Sequence, residues 1–236
     1  HLPPTAFVLF LQNHDQVGNR ALGDRLHELC PPQALRAATA LLLLSPMIPL
    51  LFMGEESAAP EPFLFFTDYT GELAQAVTEG RRKEFADFSS FNSQNPGPGI
   101  PDPNVRSTFV HARPSLARAD DGQRNNMLEL YQQLLRIRHQ SIIPRLADAQ
   151  ALGAHTLAAG AVAARWLMGD NSVLHIALNL SHHPVSHTAA PDTELLFQSQ
   201  PDVATQLRDR HVLAPYSALV SLVPAPHQSS PAGERP

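Results

Sequence analysis

An α/β segment followed by an all-β module is the fold class that this sequence predicts. Three observations carry it. Two short apolar runs, residues 6–11 and 48–53, flank one helical stretch, and each ends abruptly in a polar cluster. The link from that helix to the second run is only a few residues long, which makes a strand–helix–strand unit with parallel strands. From about Ile143 onward, helical spacing gives way to short β-prone runs separated by turn residues.

The elements follow in order. Ala6-Phe7-Val8-Leu9-Phe10-Leu11 is continuous rather than alternating, the pattern of a strand buried on both faces. The polar loop beyond it contains a helical turn around 22–29. Pro31-Pro32 opens a helix over 33–44, since proline is tolerated at the first helical position. Ser45-Pro46 ends it, because the residue before a proline is pushed out of the helical region. Ile48-Pro49-Leu50-Leu51-Phe52-Met53 is the second strand, closed by Gly54-Glu55-Glu56. The clusters Asn13-His14-Asp15 and Gly54-Glu55-Glu56 then lie side by side at the carboxyl ends of parallel strands, where α/β proteins build their sites. A phenylalanine-rich stretch, 62–69, precedes a helix over about 73–88. Residues 89–121, rich in Pro, Gly, Ser and Asn, predict a long loop. Residues 125–139 return to helical spacing through Leu128, Tyr131, Leu134 and Leu135.

In the all-β module, 161–168 and 172–180 are strands joined by the turn Gly169-Asp170-Asn171, and 195–197 and 217–223 are further strands. The domain organisation expected is 1–142 for the α/β part, 143–224 for the β module and 225–236 for a disordered tail.

Composition narrows the function classes. With 236 residues and 43% hydrophobic side chains, the chain can bury a real core. The net charge of −5 and the scattered Lys and Arg argue against a nucleic-acid partner. The apolar runs are too short to cross a bilayer, so no membrane association is expected. Cys30 is the sole cysteine, which excludes an internal disulfide framework and points to a reducing, cytoplasmic compartment. The histidines are dispersed and His182-His183 lacks partners at zinc spacing, so no metal is expected. Neither a phosphate loop nor a nucleophile elbow is present, and no cofactor is expected. The chain opens on His1 without an initiator Met or a leader-like segment, so a longer parent protein is expected.

Asp15 is the strongest catalytic candidate. A carboxylate at a strand end, beside His14 and opposite two further acids, suits stabilisation of positive charge in a sugar ring. Asn13 and Asp15 also suit capping of the turn, and on spacing alone that is the more economical reading. Glu55 and Glu56 are either site acids or solvated loop acids. Phe63, Phe65 and Phe66 are either core or a platform for sugar faces.

Longer blocks carry a resemblance. Gln12-Asn13-His14-Asp15-Gln16-Val17-Gly18-Asn19-Arg20, and Leu51-Phe52-Met53-Gly54-Glu55-Glu56 with Pro62-Phe63-Leu64-Phe65-Phe66-Thr67-Asp68, resemble the malto-oligosyltrehalose trehalohydrolase family of the α-amylase superfamily. Arg81-Arg82-Lys83-Glu84-Phe85 and Ile100-Pro101-Asp102-Pro103 fit that family's next segment. The resemblance runs from about Ala6 to Val223. It implies strands 7 and 8 of a (β/α)8 TIM barrel, with their helices, followed by an antiparallel β-sandwich. It implies a retaining glycoside hydrolase that cleaves the α-1,4 bond next to trehalose in malto-oligosyltrehalose and releases trehalose. Asp15 is then the transition-state stabiliser and a substrate ligand, His14 binds the same sugar, and Asn13, Gln16, Val17, Gly18, Asn19 and Arg20 line the adjoining wall. Glu55 and Glu56 are weaker substrate-binding candidates on the neighbouring loop.

A retaining glycosidase needs two carboxyl groups roughly 5–5.5 Å apart. In this family both come from strands before the seventh, so the chain alone is expected to be inactive, and its main partner is the N-terminal part of the same enzyme. The alternatives are a non-catalytic carbohydrate-binding or assembly module, or another α-glucan enzyme such as a branching enzyme or an amylase. With most of a barrel missing, the faces of 6–11 and 48–53 and the apolar side of the 33–44 helix are expected to be bare, favouring aggregation.

Overall fold

The computed structural model describes residues 2–86, 99–115, 122–188 and 193–225. Residues 226–236 of the expected tail, and 89–98 and 116–121 of the expected loop, lie outside the described residues. The chain forms two compact units, one made of His1–Leu9, Pro31–Leu50 and the chain from Gln132 onward, the other of Phe10–Cys30 and Leu51–Tyr131. This grouping cuts across the position 142/143: the helix after Pro31 joins the C-terminal strands.

In the first unit, β1 (Val8–Leu9) and β2 (Ile48–Pro49) pair in parallel, Val8 opposite Ile48. The amide of Ile48 donates to Phe7 O at 3.0 Å and that of Leu50 to Leu9 O at 2.8 Å. The parallel pairing is the one expected, but the strands are two residues long and Phe7, Val8 and Ile48 are exposed. Expected burial on both faces is corrected: this is a two-stranded sheet, so no third strand among the described residues extends its ladder.

Three short helices come next in the numbering. They are α1 (His14–Gly18) and α2 (Leu26–Leu29), both of the second unit, and α3 (Pro32–Leu44) of the first. In α3, Pro32 starts the helix, Ala and Leu fill it, and Ser45 leaves it in an extended conformation before Pro46. Ala37, Ala40, Leu42, Leu43 and Leu44 are fully buried. The expectation of a bare apolar side on this helix is therefore wrong. It packs against strands of the C-terminal sheet, and its last carbonyls are taken by a buried arginine. Arg138 Nη1 donates to Leu43 O at 2.9 Å and Ser45 O at 2.7 Å, and Nη2 to Met47 O at 2.7 Å. Leu43 O is one of the carbonyls that a helix end leaves orphaned, while Ser45 O and Met47 O lie on the link from α3 to β2. Arg138 opens a π-helical turn, Arg138–Ile142, within the first unit.

The remaining helices are α4 (Gly71–Glu84), α5 (Arg106–His111), α6 (Gly122–Ile137) and α7 (Val203–Arg210). The C-terminal sheet contains β3 (Gln150–Ala158), β4 (Ala161–Leu167), β5 (Val173–Asn179), β7 (Glu194–Gln198) and β9 (Ser217–Val223), in the antiparallel order β3-β4-β5-β9-β7. A second, two-stranded sheet pairs β6 (Val185–Ser186) with β8 (Val212–Leu213). The β4–β5 turn at 169–171 stands where expected: Asn171 takes a positive φ, and Asp170 accepts from the Ser172 amide at 3.0 Å and from Arg145 Nε at 2.7 Å.

Ala163, Ala177 and Leu219 on one face of the sheet pack with Val203 and Leu207 of α7 and Leu213 of β8. By the two-residue alternation of strands, Leu174, Ile176, Leu178, Val220 and Leu222 point to the other face, where α3 lies against β5 and β9. Strand β3, β6, β8 and helix α7 escape the sequence patterns. β3 is an edge strand exposed along most of its length, so it has no alternation to detect.

The second unit has little sheet and is tied together by polar anchors. Arg81 of α4 is buried, with Nη2 donating to Gly18 O and Arg20 O at 3.2 Å each, and Nη1 to Glu84 at 3.0 Å. Its guanidinium lies over the rings of Phe65 and Phe85. Asn104 donates to Ala74 O at 3.0 Å and accepts from Thr67 Oγ1 at 2.8 Å, while Asp102 accepts from Thr78 Oγ1 at 2.9 Å. The 99–115 stretch, expected within a long loop, is thereby fastened to α4 and carries α5.

Candidate active site

The site grows from the end of β1. Asn13 leaves the strand in extended conformation and caps α1, accepting the Gln16 amide at 3.0 Å on its side chain. The capping role weighed for Asn13 is thus realised, and it places His14 and Asp15 in the first turn. Their side chains are 71% and 70% exposed, and His14 Nε2 stands 3.3 Å from Asp15 Oδ1. Gln16, Asn19 and Arg20 are also exposed, with Arg20 paired to Asp24 at 3.1 Å. Val17 and Gly18 are buried, and Gly18 sits against the Phe63 ring. The exposed face of this turn is therefore His14, Asp15 and Gln16.

Gln12, the last residue before the turn, is buried and bridges two loops. Its side-chain carbonyl accepts the Leu26 amide at 3.2 Å, and its amide donates to Glu55 Oε2 at 3.3 Å. The two polar clusters therefore do meet, through Gln12 and Glu55. Glu55 is 6% exposed, and its other oxygen accepts the Tyr131 hydroxyl at 3.2 Å. It faces the interior rather than the surface that His14 and Asp15 occupy. Glu56 is half-buried and accepts the Gly54 amide at 3.0 Å.

Burial pushes the Glu55 carboxyl up to about 7, against the hydrogen bonds from Gln12 and Tyr131 that favour its ionised form. The folded state holds the proton more tightly than the unfolded chain, whose carboxyl titrates near 4.5. The stabilisation is complete below pH 4.5 and is lost as pH rises to about 7. Glu55→Gln keeps the shape and cannot ionise. Its melting should match the parent chain at pH 4.5 and exceed it above pH 7, by up to about 3 kcal/mol. Equal melting curves at pH 4.5 and 8 would show that Glu55 carries no such burden.

Arg25 was not singled out from the sequence, and no local signal marks it. It is 1% exposed, donating from Nε to Glu61 O at 2.7 Å and from Nη1 to Met53 O at 2.8 Å, beside the Phe52 ring. Glu61, Glu56, Glu28 and Glu55 surround it and offset the burial of its charge. It thereby fixes the carbonyl that enters Gly54-Glu55-Glu56. Gly23 is also obligatory: at φ +67° a Cβ would stand 2.6 Å from the Phe63 carbonyl.

The phenylalanines divide between the two roles left open. Phe63 packs edge-on against Phe52 at 5.0 Å, and Phe65 lies under Arg81. Phe66 meets Phe109 edge-on at 5.1 Å, and both keep exposed faces. Among the described residues no group of three His, Cys, Asp or Glu is placed to hold a metal, and no helix is long and apolar enough to cross a membrane.

In sequence and in fold the chain is similar to proteins of the α-amylase family. A family model described as "Domain of unknown function (DUF3459)" matches residues 149–220. A crystal structure described as a putative alpha amylase from Salmonella typhimurium superposes with a TM-score of 0.77 at 39% identity, covering 94% of this chain and 36% of that one. More narrowly, the chain is a relative of the malto-oligosyltrehalose trehalohydrolases. It is 48% identical to that of Deinococcus radiodurans over 136 residues, 57% of this chain and 22% of the relative. It is 38% identical to that of Rhizobium sp. (strain M-11) over 220 residues, 92% of this chain and 35% of the relative. The chain thus spans about a third or less of the curated relatives it matches.

Proposed function

We propose that this chain is the C-terminal third of a cytoplasmic, retaining glycoside hydrolase. The reaction is cleavage of the α-1,4 bond next to trehalose in malto-oligosyltrehalose, with release of trehalose. In this reading residues 1–142 supply strands 7 and 8 of a (β/α)8 barrel with their helices, and 143–224 the β-sandwich that follows. The observation that carries the reading is the Asp15 carboxylate. It is exposed beside His14 on a turn that Asn13 caps, Gln12 and Glu55 tether, and Arg81 holds from behind.

Asp15 acts as an electrostatic helper. It accepts hydrogen bonds from hydroxyls of the reacting sugar and favours the oxocarbenium-like transition state over the ground state. His14 binds the same sugar, and Asn13, Gln16, Val17, Gly18, Asn19 and Arg20 form the adjoining wall. Glu55, turned inward, serves as a positioning residue through Gln12, and Glu56 borders the substrate loop. The nucleophile and the acid/base, the two carboxyl groups that double displacement needs, come from the N-terminal part of the same enzyme, as the resemblance implies.

Purified chain incubated with maltotriosyltrehalose should release no trehalose. Joined to the N-terminal two thirds of the Rhizobium relative, it should restore release. Turnover by the chain alone would refute the division of catalytic groups. A joined enzyme that releases maltose or builds branches instead would place the chain with another α-glucan enzyme. Tight binding of maltotriose by a joined enzyme without turnover would favour the binding-module reading.

A further inference from the structure

The sheet face that carries α7 is apolar at one end and cationic at the other, and strand register sets this. One row across β3, β4, β5 and β9 reads Gly153, Arg165, His175 and Ser221. The next row reads His155, Ala163, Ala177 and Leu219. Residues two apart on a strand share a face, so both rows point the same way. Leu207 of α7 and Leu213 of β8 cover Ala163, Ala177 and Leu219.

A cleft of about 700 Å³ opens over the two rows and is also lined by Ser186, His187, Arg210 and His211. His187 and His211 lie side by side beside the β6–β8 pair, the His187 amide donating to His211 O at 2.9 Å. The volume lies within the range of small-molecule sites and exceeds what a bare ion needs.

The charge in this cleft runs against that of the molecule. The chain carries a net charge of −5, yet the lining gathers two guanidiniums, Arg165 and Arg210, with four imidazoles, His155, His175, His187 and His211. No carboxylate among the described residues lines it. The rings of His155 and His187 lie 6.3 Å apart. Burial, then Arg165 and His187, push the His175 imidazole down, and burial, then His155, push that of His187 down. Part of the cost of charging these rings is thus repulsion by neighbouring cations, which an anion in the cleft would cancel.

We propose that this cleft binds a phosphomonoester of carbohydrate size, its phosphate on the Arg165–His175 row and its sugar in the remaining volume of the cleft. A phosphate monoester is close to a dianion at neutral pH and presents oxygens suited to guanidinium and imidazolium donors. The site lies wholly within the first unit and stands independently of the glycosidase reading.

The test titrates glucose 6-phosphate, inorganic phosphate and glucose separately into the full chain, followed by calorimetry and by histidine side-chain NMR. Glucose 6-phosphate should bind at pH 6.5 and shift the His175 and His187 resonances. Inorganic phosphate should bind about tenfold more weakly, since it lacks the contacts of the sugar, and glucose should not bind. Because binding draws a proton onto the imidazoles, affinity should fall by about tenfold on going to pH 8. Arg165→Gln, an exposed position, should weaken binding at least tenfold while Trp166 fluorescence and the melt stay unchanged; Arg210→Gln offers the same readout from the end of α7. Glucose binding equal to glucose 6-phosphate, phosphate binding equal to it, no shift of either histidine, or unchanged affinity in both arginine variants would overturn the proposal.

Discussion

Asp15→Asn, placed in the joined full-length enzyme, is expected to lower turnover of maltotriosyltrehalose by roughly 10³-fold, with KM changed only a few-fold. The asymmetry follows from the role. A carboxylate that strengthens its interaction as positive charge develops on the ring contributes to the transition state and little to the ground state. Asparagine keeps the size and one acceptor oxygen but loses the charge. The structure makes the experiment clean. The Asp15 side chain is 70% exposed, and among the described residues its charged-group contact is with His14 at 3.3 Å, itself exposed. Exposed pairs of this kind contribute about 0–1 kcal/mol. The variant should therefore melt with the parent enzyme. Turnover within a few-fold of the parent would remove Asp15 from the mechanism, and a lowered melting temperature would mark it as structural instead.

Arg138→Met is expected to destabilise the first unit by about 3 kcal/mol or more. Arg138 is 5% exposed and donates to three main-chain carbonyls, those of Leu43, Ser45 and Met47. Two effects coincide there. The carbonyls at the end of α3 lose partners that water cannot replace in a buried place, and the negative end of the helix loses its cation. Methionine fills the volume, so the loss reads the hydrogen bonds rather than a cavity. Arg138→Lys should recover only part, because one ammonium cannot serve three carbonyls in a planar fork. Trp166, the only tryptophan, is buried in β4 and reports on this unit selectively. Urea unfolding followed by its fluorescence should show an earlier midpoint with an unchanged slope. A midpoint shift worth less than about 0.5 kcal/mol would refute the account.

What could be read along the chain and what could not divide by the range of the signal. The helix after Pro31-Pro32, its stop at Ser45-Pro46 and the turn at Gly169-Asp170-Asn171 are local chemistry and stand in the structure, as does the parallel direction of the two strands, which follows from the short link between helix and strand. The Asn13 cap is local too, which is why the capping and the functional readings of Asn13-His14-Asp15 prove compatible: the cap turns the acid outward. β3 failed to register because it lies at an exposed edge and has no buried face to impose a two-residue period.

The sequence by itself determined the opening strand–helix–strand order, the β4–β5 turn and the motif blocks that relate the chain to the trehalohydrolases. Only the tertiary structure decided where the buried charges go. Arg81 reaches Gly18 across 63 residues and Arg138 reaches Leu43 across 95. It also decided that Glu55 turns in to Gln12 while Asp15 turns out, and that the 32–44 helix covers the C-terminal sheet. The physical reason is that a carboxylate or guanidinium is written the same way in sequence whether water or a main-chain carbonyl solvates it. Desolvation is set by neighbours that arrive from elsewhere in the chain, and no spacing rule records them.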